Sequence, residues 1–383
     1  MWLHCLALAH FAQAAPHRAW TIESWRVVDY DWEALNTTRA AAVASGVFTP
    51  SHNAVTGIKV WRDRVFVTVP RWMTGVPSTL NQVVDGALRP LPVNVSYVQS
   101  MEIDLEGRMW IVDVGRKYFH DDSVPTVNGP ARLVLFDLST DSVVDIFEFP
   151  DSVVPYNSSF LNDIALTGNE TAVISDAGGD GALVVLDLAA RTTFRFVDKS
   201  TSAEADVTFV IGGVDYGNQT FTTPTDGIAY NPCDDHVYYC ALQGLTLFKV
   251  PRAALFSFDV DTAAASVSIA ARKTSPADGM TFAANGRLFT GGITDPDDTV
   301  YFFDFGISRR DNFPIYDDSN NVLARRQWWA DTFAFNDTDL FWTTNHLDQF
   351  LTSTMDFGPA SSPNFEIHRA NVGSPSYLHG CSL

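Results

Sequence analysis

An aspartate followed by a glycine opens two similar segments, PTDGIAY at residues 224–230 and PADGMTF at residues 276–282. Each continues with alternating apolar residues, which is typical of a half-buried strand. Asp163 and Asp331 open two further segments of this kind. If the fold brings these four equivalent carboxylates together, they would repel one another unless a bound cation, raised pKa values or backbone N–H donors offset the repulsion. A plainer alternative is that each Asp is a turn residue bonded to its own strand.

The segments belong to a repeat of six units. The units start at Gly57, Ser100, Asp163, Asp226, Asp278 and Asp331, 43 to 63 residues apart. Each contains a short alternating strand, a turn rich in Asn, Asp or Gly, and a second strand, and most add another apolar run. Six units of about four strands predict an all-β fold, a six-bladed β-propeller. Residues 21–32 are predicted to complete the last blade, and residues 33–45 are the best helical segment.

The geometry of a propeller places the repeated acids together. The innermost strand of each blade lines the central channel, so the unit starts converge on one axis and form one channel mouth. Loops after the second strands ring the same mouth, which brings in Asn345 and His346. The predicted ligand-binding residues are Asn162, Asp163, Asp226, Asp278, Asp331, Asn345 and His346. Catalytic residues are not assigned, although Asp226, Asp278 and His346 are candidate bases.

Other loops are expected at this mouth. They contain Arg71 and Trp72, a long segment at 115–130, and the segments 176–181 and 291–298. A loop as long as 115–130 inside a compact domain is usually functional or mobile. For its sequence His120-Asp121-Asp122, a solvated loop is favoured over a metal site.

The net charge and the N-terminal sequence indicate the cellular compartment and the kinds of partner. The net charge is −20, from 45 acids against 25 Lys and Arg, which disfavours nucleic acid and attracts amines and metals. Residues 2–11 are apolar and precede Ala12-Gln13-Ala14, so a signal peptide is predicted over residues 1–15. A single propeller domain over residues 16–383 then follows, in a secreted, extracellular protein. No other apolar run approaches the roughly 18 residues of a membrane span.

Modification sites and cysteines fit this compartment. Glycosylation is predicted at six N-x-S/T sequons: Asn36, Asn94, Asn157, Asn169, Asn218 and Asn336. Cleavage would remove Cys5 and leave Cys233, Cys240 and Cys381, an odd number. At most one intrachain disulfide can therefore form, and its partners are left open.

Several segments resemble the Yellow / major royal jelly protein family. DRVFVTVPRWMTGVPSTLNQV at residues 63–83 resembles its most characteristic stretch, and IDLEGRMWIVDVG, ARLVLFDLSTDSVV, ISDAGGDGALVVLDL and DLFWTTNHLDQF are similar to further family blocks. The resemblance implies a secreted six-bladed propeller with roles in pigment, melanin-pathway or cuticle chemistry. It implies dopachrome-conversion-type isomerisation in some members and capture of biogenic amines in others. The chain departs from the family at Leu105, where a cysteine is often found, and at His346, where an arginine is common.

Three functions remain open. The first is a secreted propeller whose channel binds a small polar or cationic aromatic molecule, a biogenic amine or catechol-derived compound, with dopachrome-conversion-type isomerisation as its enzymatic form. It needs no cofactor. The second is a metal-dependent, gluconolactonase-like hydrolase with a divalent cation on the propeller axis, held by Asn162, Asp163, Asp226 and Asp278. The third is a structural or storage protein with an inert channel. The sequence leaves the oligomeric state open.

Overall fold

The computed structural model describes residues 19–295, 299–305 and 322–382. The predicted signal peptide, its cleavage site and Cys5 lie outside the described residues, as does part of the segment 291–298. The described residues form six four-stranded antiparallel sheets, and a two-stranded hairpin lies between the third and the fourth. The predicted six-bladed β-propeller is confirmed.

The strands are numbered along the chain, beginning with β1 (Trp20–Trp25). Blade 1 comprises β2 (Ile58–Trp61), β3 (Arg64–Thr68), β4 (Leu80–Val84) and β5 (Ala87–Pro90). Blade 2 comprises β6 (Val98–Ile103), β7 (Arg108–Asp113), β8 (Arg132–Asp137) and β9 (Ser142–Glu148). Blade 3 comprises β10 (Leu161–Gly168), β11 (Thr171–Asp176), β12 (Ala182–Asp187) and β13 (Thr192–Phe196).

The hairpin of β14 (Phe209–Ile211) and β15 (Val214–Gly217) follows blade 3. Blade 4 comprises β16 (Thr225–Asn231), β17 (His236–Ala241), β18 (Thr246–Pro251) and β19 (Ser268–Arg272). Blade 5 comprises β20 (Met280–Phe282), β21 (Arg287–Gly291), β22 (Val300–Asp304) and β23 (Val322–Ala324). Blade 6 comprises β24 (Trp329–Asn336), β25 (Asp339–Asn345), β26 (Phe365–Asn371) and β1.

The N-terminal strand closes the ring. β1 pairs antiparallel with β26, from Trp20 opposite Arg369 to Trp25 opposite Phe365, so it is the outermost strand of blade 6. The predicted closing role therefore belongs to the beginning of the segment 21–32. Its later part leaves the sheet, and Tyr30 forms an isolated bridge with Leu88 of blade 1. The N-terminal segment thus ties the last blade to the first.

Helices are short and peripheral. They are α1 (Arg39–Ala44), α2 (Arg252–Leu255), α3 (Val260–Ser266) and α4 (Leu347–Leu351). The helix predicted over residues 33–45 is shorter than expected, because Thr38 caps α1 by accepting a hydrogen bond from the Ala41 N–H. In the part of the chain that is described, no helix has the length and apolar character needed to cross a membrane.

Buried acids fasten individual blades. Asp113 and Asp176 end β7 and β11, are fully buried, and accept hydrogen bonds of 2.7–3.0 Å from backbone N–H groups just before the first strand of the same blade. Arg132 pairs with Asp113 at 2.5 Å, and Arg195 pairs with Asp176 at 2.6 Å. Each of these two carboxylates is therefore matched by a cation and by backbone donors, as a buried charge requires.

One disulfide ties the C-terminus to blade 4. It joins Cys233 to Cys381, and Cys240 is a buried free thiol. Between blade 6 and the disulfide, the Tyr377 hydroxyl accepts a hydrogen bond from the Leu166 N–H at 3.1 Å and lies 3.3 Å from Glu102 Oε2. The C-terminal segment thus contacts the first strands of blades 2 and 3.

Glycine allows the inner strands to approach closely. A Cβ at Gly227 would lie 2.3 Å from the carbonyl oxygen of Asp278, and a Cβ at Gly279 would lie 2.3 Å from the carbonyl oxygen of Asp331. The Gly279 N–H also donates to that Asp331 oxygen at 2.8 Å. Each Asp-Gly pair therefore needs a glycine, because the backbone of the next blade leaves no room for a Cβ atom.

We predict that Gly279→Ala destabilises the fold by about 1–3 kcal/mol, the usual range for overpacking, because the new methyl group collides with the Asp331 carbonyl. Denaturant unfolding of the variant measures the loss. Gly358→Ala is the control, since its Cβ would meet only the carboxylate end of the Asp356 side chain. Equal stability of the two variants would contradict this account of the contact between blades 5 and 6.

Candidate functional site

The inner strands form a closed ring. Each of the six first strands contacts the first strands of both neighbouring blades. In three of them a β-bulge carries the repeated acid, because the pairing register shifts across residues 161–164, 225–228 and 330–333. The acids inside these bulges are Asp163, Asp226 and Asp331. A bulge changes the direction of a side chain that regular alternation would point elsewhere. The fourth acid, Asp278, is not in a bulge and comes just before β20 in blade 5.

The acids of blades 4, 5 and 6 form one hydrogen-bonded cluster. Asp226 and Asp278 share a side-chain hydrogen bond. Asn162 Nδ2 donates to Asp226 Oδ1 at 2.7 Å, and Trp329 Nε1 donates to Asp278 Oδ2 at 2.7 Å. Asn345 Nδ2 donates to Asp331 Oδ2 at 2.8 Å. These donors are neutral, so they satisfy oxygen atoms without cancelling charge.

Burial disfavours the charged form of the acids in the cluster. Desolvation raises the pKa of Asp226, Asp278 and Asp331 well above the usual range of a carboxyl group. Charge on Asp226 raises the pKa of Asp278 further, whereas the hydrogen bond from Asp278 lowers the pKa of Asp226. The repulsion between these carboxyl groups is therefore reduced by raised pKa values and by hydrogen bonds from side-chain donors.

Asp163 has a different environment. Its carboxylate accepts hydrogen bonds from Ser100 Oγ at 2.8 Å and from the Ile164 N–H at 2.9 Å. Burial raises its pKa, and the charge of Lys59 opposes that rise. Lys59 is itself buried in β2, where its Nζ donates to the Phe333 carbonyl at 2.6 Å and lies 3.5 Å from Glu102 Oε2. Asp163 thus belongs to a second polar group that includes a cation.

A cavity of about 220 Å³ lies over the acid cluster. Its polar floor includes Asn162, Asp226, Asp278 and Asp331. Aromatic and aliphatic side chains supply much of the wall: Trp72, Phe160, Phe221, Leu242, Trp329, Leu347 and Leu351. Gln99, His120, Thr220, Thr223 and Thr352 complete the lining. None of the described residues that line this cavity is Lys or Arg.

The predicted site residues divide into two groups. Asn162, Asp226, Asp278 and Asp331 line the cavity, whereas Asp163, Asn345 and His346 do not. Asn345 lies behind Asp331, and its amide also donates to the Val55 carbonyl at 3.1 Å. The His346 ring packs at a tilt against Trp328 with ring centroids 4.3 Å apart, and burial lowers the pKa of His346 to about 4. His346 is therefore a neutral packing residue beside the site.

The long loop at 115–130 is anchored over the cavity. Asp121 Oδ2 accepts hydrogen bonds from the Thr74 N–H at 3.0 Å and the Thr74 hydroxyl at 2.7 Å. This clamp places His120 in the cavity lining, where its ring meets Trp72 edge-on with centroids 6.3 Å apart. His120 and Asp122 are exposed, in agreement with the favoured interpretation as a solvated loop, and the anchoring through Asp121 adds to it. Over the described ranges, no group of three His, Cys, Asp or Glu side chains has an arrangement that could hold a metal ion.

Several contributors to the site escaped the sequence analysis. Lys59 was missed, although a lysine among the apolar residues of an inner strand was a visible signal. Trp329 was missed too, although it comes two residues before Asp331. Phe160 and Phe221 come from connecting segments that carried no repeat signal.

The fold and the site define a class of protein, a six-bladed propeller with an acidic and aromatic cavity at one end of its axis. The chain belongs to the major royal jelly protein family, whose sequence model, described as "Major royal jelly protein", matches residues 96–374. Major royal jelly protein 1 of Apis mellifera is 26% identical over 255 residues, which cover 60% of this chain and 57% of that protein. Protein yellow of Drosophila melanogaster is 29% identical over 163 residues, 37% of this chain and 29% of that protein.

These alignments show how far the likeness extends. The chain spans about half the length of the royal jelly relatives that it matches and less of the yellow proteins. Among solved structures, a luciferin-regenerating enzyme superposes with a TM-score of 0.51 at 10% identity, over 94% of this chain and 97% of that one. That likeness concerns the fold alone.

We predict that Asp278→Asn stabilises the protein increasingly as the pH rises. The native pKa of Asp278 is raised, so the folded state holds a proton that the unfolded state releases above about pH 4, and stability falls with rising pH in that window. Asn cannot ionise and can keep the hydrogen bonds. Denaturant unfolding at several pH values between about 4 and 8 measures the difference.

Asp137→Asn provides a control of opposite sign. Hydrogen bonds from Ser139 lower the pKa of this carboxylate. Its contribution to folding stability is therefore present above the usual Asp pKa and is lost on acidification. A pH-independent effect of Asp278→Asn would mean that this carboxyl is not held protonated by burial.

Proposed function

We propose that this protein binds a small cationic aromatic molecule, of the biogenic amine or catechol-derived type, in the cavity over the acid cluster. The observation that carries the proposal is the composition of that cavity. Three carboxyl groups and the Asn162 amide form its polar floor, aromatic rings form much of its wall, and its described lining contains neither Lys nor Arg.

Charge favours a cation over a neutral ligand. Asp226, Asp278 and Asp331 are costly to ionise together in a buried site, as their raised pKa values indicate. An ammonium group at the floor would supply a positive charge and would donate hydrogen bonds to the carboxylates. Binding would then release protons from the cluster into solution.

The walls favour an aromatic body. The rings of Phe221 and Trp329 meet edge to face with centroids 5.7 Å apart, so they form a continuous apolar surface beside the acids. Aromatic faces also attract cations. The cavity volume of about 220 Å³ is below that of typical drug-sized pockets, which matches a ligand of one ring with a short amine chain.

We predict that tyramine binds more tightly than either of its halves. 4-Ethylphenol keeps the ring without the amine, and propylamine keeps the amine without the ring, so each loses one set of contacts. Asp226→Asn should weaken tyramine binding by about 1.5–3 kcal/mol, the range for a hydrogen bond to a charged group. Titration calorimetry measures both effects.

Asp163→Asn is the matched control, because this acid is equally buried but lies outside the cavity lining. It should leave tyramine affinity nearly unchanged. Titration in buffers of different ionisation enthalpy should show proton release on binding, and affinity should rise with pH. Equal affinity for tyramine and 4-ethylphenol, or an Asp226→Asn variant that binds as wild type does, would refute the cationic ligand.

We further propose that this binding takes place outside the cell. The Cys233–Cys381 disulfide supports the proposal, since such crosslinks persist in oxidising compartments. Four sequon asparagines are exposed: Asn36, Asn94, Asn157 and Asn169. The amides of Asn218 and Asn336 instead donate to backbone carbonyls at 2.8 Å.

We predict sugar at the four exposed asparagines when the chain passes through a eukaryotic secretory pathway. Glycosidase treatment of the secreted protein should then lower its mass, and peptide mapping should locate the sugars. Sites at Asn218 and Asn336 are expected to be less occupied. Secreted protein without any sugar would count against the glycosylation sites.

A further inference from the structure

A lysine and a cysteine lie in direct contact in the interior of blade 4. Cys240 belongs to β17 and is 0% exposed, and Lys273 directly follows β19 and is 6% exposed. Lys273 Nζ donates a hydrogen bond to Cys240 Sγ at 3.0 Å. The Lys273 N–H bonds the Leu245 carbonyl at 2.6 Å, which fixes the start of the lysine side chain.

This pair is not explained by packing alone. Cys240 belongs to an apolar cluster with Leu247, Ala271 and Met280. Among the described residues, the sulfur atom is the one hydrogen-bond partner of Lys273 Nζ. A buried amine with one weak acceptor is costly, and an apolar side chain of similar length would fill the same space without that cost. The fold therefore keeps an amine nitrogen in contact with a thiol sulfur.

We propose that Cys240 and Lys273 are a site of oxidative crosslinking, in which dioxygen links Sγ and Nζ through one bridging oxygen atom. The S–H bond and one N–H bond are broken, and an S–O bond and an O–N bond form. Sulfur and nitrogen each lose two electrons, and dioxygen accepts all four. One of its oxygen atoms stays in the bridge, and the other leaves as water with the two hydrogens removed from the side chains.

The geometry favours the oxygen bridge over a direct S–N bond. A bridging atom spans a separation only slightly shorter than the 3.0 Å observed. A direct bond would draw the two side chains much closer together, against the resistance of a close-packed core. The low exposure of both residues also keeps bulk reductants and larger oxidants away, while dioxygen is small and apolar enough to enter.

The crosslink would act next to the acid cluster. Charge on Cys240 raises the pKa of Asp226, which places the two groups within electrostatic reach of each other. Closing the bridge removes the ionisable thiol and the basic amine together. It also ties β17, the strand paired with the Asp226 strand β16, to the chain after β19.

Mass spectrometry of the full-length secreted protein tests the proposal. Protein matured in air is digested without reductant and compared with protein kept anaerobic. We expect the peptides of Cys240 and Lys273 to appear joined, heavier than their sum by one oxygen atom and lighter by two hydrogens. A phosphine reductant should separate them and restore a thiol that iodoacetamide alkylates. The Cys233–Cys381 disulfide reports in the same sample that the reductant has worked.

Lys273→Met and Cys240→Ser should each abolish the joined peptide, and melting curves show whether the variants fold. The wild-type result decides the matter even if they do not. Complete alkylation of Cys240 in unfolded, air-matured wild type would overturn the proposal. So would oxidation of Cys240 to a sulfinic acid to the same extent in wild type and in Lys273→Met.

Discussion

The burial of like charges on a single axis is the constraint on which the rest of this structure depends. A propeller of six blades brings six strand ends together, and this chain places a carboxyl group at four of them. Water cannot relieve their repulsion, because each of the four is at most 8% exposed. The protein meets this constraint with raised pKa values, neutral donors such as Trp329 and Asn345, and one buried lysine on the Asp163 side. No Lys or Arg of the described residues lines the cavity.

Two pairs of buried aspartates have different roles. Asp113 and Asp176 end second strands, and each is matched by an arginine and by backbone N–H groups. Asp226 and Asp278 lie at the start of first strands, and the partners that the described residues offer them are neutral donors and each other. The first pair has charged partners and is structural, whereas the second pair has neutral partners and raised pKa values. The difference lies in the partners, since the residue type and the burial are shared.

The sequence was sufficient for the fold because its signals are local. Each unit contains strands with alternating apolar residues and turns rich in Asn, Asp or Gly. The Asp-Gly pairs that start at residues 226 and 278 mark where two inner strands begin. The difference between Asp226 and Asp163 was not foreseeable, because Asp163 is set apart by Ser100 and Lys59, which only tertiary structure brings beside it. Phe221 reaches the cavity from a connecting segment, and only tertiary structure brings it beside Trp329. His346 was assigned to the ligand because its place in the chain was right, but its ring packs on Trp328.

The closing strand β1 makes the cavity depend on both ends of the propeller. Trp20 pairs with Arg369, so the ring cannot shut until β26 has been synthesised and has left the ribosome. Until then the acid-bearing strands have open edges, and the pocket walls from Trp72 to Thr352 are unassembled. Pairing at such sequence separation is slow to form. A protease that removed the chain up to Trp25 would therefore open the ring and disturb the cavity without cleaving next to any residue that lines it.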